Sequence, residues 1–135
     1  MPIIDTEILF ALNPKDPKHP HAIKALQDRD NVTVTDTSTL EFQITLRGRG
    51  RSPAQVRNAL LAIHEVLRRM KVEETKTITT TLLALQCELE ERYNLTYFDS
   101  LIAASALTLD GKIISDDKAF DKIPNLKRIP LSTPS

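Results

Sequence analysis

The sequence predicts an α/β fold in which a central parallel β-sheet of about four or five strands is flanked by helices. Short apolar segments rich in β-branched residues alternate with longer segments of helical periodicity, and this alternation is typical of βαβ units. The chain has 135 residues, of which 41% are hydrophobic, so it can bury the core of one ordinary domain. We therefore expect a single domain over residues 1–135.

Five segments are predicted to form the strands of this sheet. Each is short and is followed by a turn or by the start of a helix. The segments are residues 2–4, 32–35, 72–75, 112–115 and 126–129. The third segment is the weakest of the five.

Three helices are predicted in the first third of the chain. One lies in TEILFAL, residues 6–12, and a second covers about residues 21–27, after the turn-rich loop NPKDPKHP. The third begins near Ser38, where the sequence STLE fits a capping box, and ends at the segment RGRGR, residues 47–51.

Two longer amphipathic helices follow. Ser52 can cap the first of them, Pro53 suits its first turn, and Gln55 stands at the reciprocal capping position. The apolar stripe of this helix predicts one buried face. The second covers about residues 79–93, and we expect the two to form a helical hairpin beside the sheet.

The segment YFDSLIAASALTLDG differs from both amphipathic helices. Residues 101–107 are apolar or small on every side, which predicts a central helix packed closely against the sheet. Gly111 is the usual type of residue at which such a helix stops.

Composition restricts the classes of partner. There are 18 basic and 18 acidic residues, so attraction to nucleic acid must come from local clusters of charge. The sequence MPIIDTE does not resemble a signal peptide, and no apolar run is long enough to cross a membrane. The single cysteine, Cys87, is typical of a reducing compartment, so we expect a cytoplasmic protein without a membrane partner.

Acidic residues stand where strands or loops give way to helices. They are Asp5, Glu41, Asp99, and one of the adjacent pair Asp116 and Asp117. Taken singly, each is explained by helix capping. Taken together, several carboxylates at the carboxyl ends of parallel strands would repel one another unless a cation held them. Oxygen ligands favour Mg²⁺ or Mn²⁺, and such a site suits phosphoester hydrolysis.

Four motifs of the sequence resemble those of a known family. They are IIDTEIL near the start, STLEF after the second strand, YNLTYFDSLIAASAL, and IISDDKAF with the closing segment LKRIPL. Over its whole length the chain resembles the PIN domain family, in particular the small VapC-type toxins of toxin–antitoxin pairs. The resemblance implies an Mg²⁺- or Mn²⁺-dependent ribonuclease with RNA as substrate and a VapB-type antitoxin as partner.

The resemblance also assigns residues. It makes Asp5, Glu41, Asp99 and Asp117 the metal-binding catalytic acids. Asp117 is chosen over Asp116 because it stands two residues after Ser115 and three before Phe120, which is the spacing of the family motif. Thr6 and Ser115 would be supporting hydroxyls. Glu7 stands where asparagine or serine is common in the family, and it either alters the metal number or points away from the site.

Three arginines lie in the loop after the Ser38 helix, namely Arg47, Arg49 and Arg51. They are candidates for contacts with the RNA backbone, and a solvated loop explains them equally well. Apolar edges left on the long helices would serve a homodimer or an antitoxin contact. The expected function is therefore a metal-dependent endoribonuclease acting as a toxin. The alternative is a catalytically degenerate PIN module that binds RNA or protein without cleavage.

Overall fold

Residues 1–131 are described by the structure, a computed structural model, and within them five short strands form one sheet. The strands are, in chain order, β1 (Ile3–Ile4), β2 (Thr33–Thr35), β3 (Glu73–Thr75), β4 (Lys112–Ile114) and β5 (Lys127–Ile129). All neighbouring pairs are parallel, and the strand order is β3-β2-β1-β4-β5. The predicted parallel sheet is confirmed, including its weakest strand.

The same residues contain six α-helices and one short 3-10 helix. The α-helices are α1 (Thr6–Ala11), α2 (His19–Gln27), α3 (Asp36–Gly48), α4 (Pro53–Arg69), α5 (Thr80–Tyr93) and α6 (Tyr97–Thr108). The 3-10 helix covers Lys118–Lys122, directly after β4. No helix within residues 1–131 has both the length and the hydropathy required to cross a bilayer.

The order of the strands places a crevice between β1 and β4. After β1 the chain moves outward through β2 to β3, and it then returns to the other side of β1 to form β4. In open α/β sheets, ligands bind at such a switch point, beyond the carboxyl ends of the strands. Asp5 follows β1 and Ser115 follows β4, so both residues stand at this crevice.

Helices cover both faces of the sheet and divide the core into two clusters. Because side chains alternate along a strand, Ile4 and Ile114 point into one cluster and Ile3 and Ile113 into the other. The first cluster includes buried residues of α1, α2, α3 and α4, and the second includes buried residues of α5 and α6. The predicted central helix is confirmed, since every residue of α6 from Ser100 to Ala106 is buried.

The predicted pairing of the two amphipathic helices is wrong. Helix α4 buries Ile63 and Leu67 in the first cluster, whereas α5 buries Leu82 and Leu89 in the second. Helix α5 instead packs closely against α6, to which a short loop connects it. The apolar stripe of each helix was correctly predicted, but the two stripes meet opposite faces of the sheet.

The capping box predicted at Ser38 is also wrong, because α3 begins two residues earlier, at Asp36. The Ser38 hydroxyl is fully buried and donates a hydrogen bond of 3.1 Å to the carbonyl of Ile4 at the end of β1. This bond ties the first turn of α3 to β1 and directs the next turn, which carries Glu41, toward the crevice. The capping box at Ser52 and Gln55 is confirmed, with bonds of 3.2 and 2.9 Å.

Candidate metal centre

Asp5 lies at the centre of the crevice and caps α1. Its Oδ1 atom accepts a hydrogen bond of 2.7 Å from the backbone N–H of Thr6, and its Oδ2 atom accepts one of 2.6 Å from the Ser115 hydroxyl. Only 7% of Asp5 is exposed. The carboxylate is therefore fixed in orientation by one group from each side of the switch point.

Ser115 connects Asp5 to Asp117. While its hydroxyl donates to Asp5, the same oxygen accepts a hydrogen bond of 2.9 Å from the backbone N–H of Asp117. The Asp117 side chain caps the 3-10 helix, since its Oδ1 atom accepts from the N–H of Ala119 at 2.9 Å. The structure thus brings the sequence-predicted residues Asp5, Ser115 and Asp117 together.

Glu41 and Asp99 reach the same region from α3 and α6. Burial raises the pKa of both carboxyls, and the charge of Asp117 raises both further; Asp99 has the same effect on Glu41. Neither acid is a helix cap. Helix α6 is capped by Thr96, whose hydroxyl accepts a hydrogen bond of 3.3 Å from the backbone N–H of Asp99. Glu41 lies in the interior of α3. Capping therefore accounts for Asp5 and Asp117 but not for these two residues.

Of Asp5, Glu41 and Asp99, Asp5 has the most strongly raised pKa. Burial raises the pKa of Asp5 to about 7, and the nearby charges of Glu7 and Glu41 add to this effect. The hydrogen bonds from Ser115 and Thr6 act in the opposite direction without cancelling it. A carboxylate that is buried among other carboxylates is stabilised by a cation.

The donor atoms of the crevice fit a hard divalent cation. Within residues 1–131, no group of three or more His, Cys, Asp or Glu side chains is placed so that it could by itself hold a metal ion. Mg²⁺ does not require such a group, because it usually keeps several waters and is held by one or two carboxylates together with substrate phosphates. The Thr6 hydroxyl is buried beside Glu41, whose pKa it lowers, yet Oγ1 makes no hydrogen bond of normal geometry. A buried hydroxyl without a partner fits a site that a bound water or ligand completes.

Two further acids, Glu7 and Asp116, lie beside the crevice but have other partners. Lys18 Nζ lies 3.0 Å from Asp116 Oδ2 and 3.6 Å from Glu7 Oε2. Partial burial alone would raise the pKa of Asp116, but the N–H of Leu131 and the ammonium of Lys18 together lower it. The contribution of Lys18 was not predicted, because a pairing between residues 98 positions apart leaves no local pattern.

Two arginines of the segment RGRGR, Arg49 and Arg51, border a groove rather than the acidic crevice. The Arg49 guanidinium lies 4.8 Å from the centre of the Phe10 ring. Arg49 and Arg51 line a groove of about 470 Å³ whose other walls are mostly apolar side chains of α1, α3 and α4. Arg47 is exposed in the last turn of α3.

The amino-acid sequence of the chain matches the PIN domain family over residues 3–126. The chain belongs to the PIN domain family. The match covers β1 through the end of the 3-10 helix and therefore includes all four acids of the crevice. The comparison with curated protein sequences finds no significant match.

Solved structures with the same PIN fold include toxin–antitoxin proteins. VapC20 of Mycobacterium tuberculosis, described as a toxin that cleaves the sarcin-ricin loop, superposes with a TM-score of 0.70 at 17% identity, covering 90% of this chain and 93% of its own. VapBC-1 of nontypeable Haemophilus influenzae has a TM-score of 0.66 at 19% identity, with 96% of each chain covered. VapBC2 of Rickettsia felis, bound to promoter DNA, has a TM-score of 0.66 at 17% identity and covers 95% of this chain and 96% of its own. At these identities the likeness establishes the fold.

Proposed function

We propose that this PIN domain is a metal-dependent endoribonuclease, the VapC-type toxin of a toxin–antitoxin pair, and that it acts in the cytoplasm. The observation that carries the proposal is the crevice itself. Asp5, Glu41, Asp99 and Asp117 come from four separate parts of the chain, yet burial and their mutual charge raise the pKa of the first three. A fold has little reason to gather acids in this way unless a cation joins them.

The residues of the crevice have distinct tasks in this proposal. Asp5, Asp99 and Asp117 would hold Mg²⁺ or Mn²⁺, with Glu41 as a further ligand or as the group that orients a water molecule. When bound, the cation would activate water and stabilise charge on the attacking and leaving oxygens of the phosphodiester. Ser115 fixes the Asp5 carboxylate, and Thr6 offers its unengaged hydroxyl to water or phosphate.

The degenerate PIN module remains the second candidate. It requires the loss of at least one acid or of the geometry that joins them. All four acids are present, and Ser115 still connects Asp5 with the backbone of Asp117. These observations favour the enzyme over a module that only binds RNA or protein.

Two surfaces support the proposed partners. The groove between α1, α3 and α4 has an apolar floor and two arginines, Arg49 and Arg51, so it suits a VapB-type antitoxin helix with apolar and acidic side chains. The three arginines remain candidates for contacts with the RNA backbone. A homodimer is supported by Leu40 and Ile44, which are 37% and 45% exposed and lie one turn apart on α3.

Cleavage of a labelled panel of single-stranded RNAs tests the proposal. With Mg²⁺ or Mn²⁺ the wild-type protein is expected to cut, and a chelator should abolish cutting. Asp99→Asn should reduce the rate by about a hundredfold or more, because the loss of a metal ligand removes several kcal/mol of charge stabilisation. Binding of RNA without cleavage, or cleavage that resists the chelator, would support the degenerate module or a contaminating nuclease instead.

A further inference from the structure

The turn that leaves β4 is held by charged side chains from the other side of the crevice. Glu7 Oε1 accepts a hydrogen bond of 2.6 Å from the backbone N–H of Asp116. Lys18 Nζ donates to Asp116 Oδ2 at 3.0 Å, and Asp116 Oδ1 accepts from the N–H of Leu131 at 2.9 Å. Helix α1, the start of α2, the turn and the end of the described chain thus meet at Asp116.

This turn contains two residues of the proposed metal centre. Ser115 precedes Asp116, and Asp117 follows it. The bond from Ser115 to Asp5 and the bond from the Asp117 N–H to Ser115 both depend on the backbone path through Asp116. The backbone carbonyl of Ser115 also accepts a hydrogen bond of 3.1 Å from the guanidinium of Arg128, on β5. The path is therefore fixed by side chains on both sides.

Glu7 and Asp116 are both engaged in holding the turn in this arrangement. Glu7 uses Oε1 for the turn and places Oε2 3.6 Å from Lys18. Asp116 uses one oxygen for Lys18 and the other for Leu131. Lys18 supplies a positive charge to both acids.

We infer that Glu7 and Lys18 are positioning residues, which act through Asp116 to hold the turn of residues 115–117 so that Ser115 and Asp117 face Asp5. The kinetic consequence of this inference rests on the proposed nuclease function, whereas the structural part does not. Two other roles are chemically reasonable for the same side chains: Lys18 as a contact to RNA phosphate, and Glu7 as a metal ligand. The experiment below separates them.

The test compares substitutions that keep or remove each interaction. Glu7→Gln keeps an oxygen that can accept from the Asp116 N–H, whereas Glu7→Ala does not. Lys18→Arg keeps the charge, whereas Lys18→Met removes it. Lys15→Met is the matched control, because Lys15 is exposed in the same loop and makes no contact with the turn among the described residues.

The first measurement is amide hydrogen exchange of residues 115–118 in the metal-free protein. Glu7→Ala and Lys18→Met should exchange about tenfold faster than wild type in this segment, since each loses a bond that closes it, while amides of the sheet keep their rates. Glu7→Gln and Lys18→Arg should restore most of the protection. Lys15→Met should match wild type throughout.

The second measurement is the affinity for Mn²⁺ together with the kinetics of RNA cleavage. Loss of an outer-shell partner typically costs about tenfold to a hundredfold in metal affinity or activity. We expect Glu7→Ala and Lys18→Met to lower Mn²⁺ affinity and kcat by about tenfold, with KM for RNA and its salt dependence unchanged. Glu7→Gln and Lys18→Arg should recover most of both.

Each contrary result identifies a different error. Unchanged exchange in both Glu7→Ala and Lys18→Met would overturn the inference. The inference would also be overturned by a Lys18→Met variant with a higher KM for RNA and a weaker salt dependence of binding, because Lys18 would then be an RNA contact.

Equal loss of Mn²⁺ binding in Glu7→Gln and Glu7→Ala would make Glu7 a ligand. If exchange changes as expected but wild type neither binds Mn²⁺ nor cleaves RNA, the nuclease proposal fails while the positioning of the turn stands.

Discussion

Asp117→Asn is expected to reduce metal-dependent RNA cleavage by about a hundredfold or more, whereas Asp116→Asn should reduce it by no more than about tenfold. Asp117 is exposed at the crevice, and only its Oδ1 atom is used, to cap the 3-10 helix. Its other oxygen is available to a cation. Asparagine keeps the capping oxygen but lacks the negative charge, so the fold should survive while the metal ligand is lost.

The adjacent Asp116 has a different environment. Both of its oxygens are already bonded, one to Lys18 and the other to the N–H of Leu131. Asparagine can still accept from Leu131 with its one oxygen, but its amide nitrogen cannot accept from Lys18, so the bond to Lys18 and the charge pair are lost. The cost should therefore be limited to a looser turn.

Initial cleavage rates and melting temperatures of both variants test this contrast. The melting temperatures should stay close to that of wild type, so that any loss of activity reports on the crevice. Equal loss of cleavage in the two variants would mean that the pair acts together, and loss in Asp116→Asn alone would mean that Asp116 is the ligand.

The affinity for Mn²⁺ is expected to rise about tenfold per pH unit up to about pH 7 and then to level off. The reason is the pKa of Asp5, which burial raises from its ordinary value of 3.8 to about 7. Below pH 7 a cation must displace the proton of this carboxyl before it can bind. Isothermal titration with Mn²⁺ between pH 5 and pH 8 measures the effect, which amounts to about a hundredfold between pH 5 and pH 7.

The same pKa has the opposite effect on the stability of the metal-free protein. Because the folded state holds the Asp5 proton more tightly than the unfolded chain does, this residue lowers stability as the pH rises from about 4 to about 7. Asp5→Asn should remove that part of the pH dependence of the melting temperature. Mn²⁺ affinity that is constant between pH 5 and pH 8 would contradict the role assigned to Asp5.

Local patterns in the sequence were sufficient for much of the fold. The alternation of short strands and helices predicted the parallel sheet, and the apolar surface of α6 predicted its burial, because both features depend on periodicity. The pairing of α4 with α5 was wrong because an apolar stripe shows which face of a helix is buried but not which surface covers it. At Ser38 a capping pattern was present, but the hydroxyl bonds to Ile4 instead.

The candidate site was predicted where residues follow strand ends. Asp5 and Asp117 could be placed at one crevice because the carboxyl ends of parallel strands meet there. The T-x-x-D pattern of Thr96 and Asp99 was a readable signal that Thr96, and not Asp99, caps α6. The contact between Lys18 and Asp116 had no such signal, since it depends on how distant segments pack.

The central claim is that Asp5, Glu41, Asp99 and Asp117 surround one cation site. X-ray diffraction at the manganese absorption edge, from crystals grown with Mn²⁺, tests it most directly. We predict an anomalous peak in the crevice, bonded to carboxylate oxygens of Asp5, Asp99 and Asp117, with Glu41 in direct contact or one water molecule away. A peak at Glu7 and Asp116 instead, or no peak in the crevice at saturating Mn²⁺, would contradict the account.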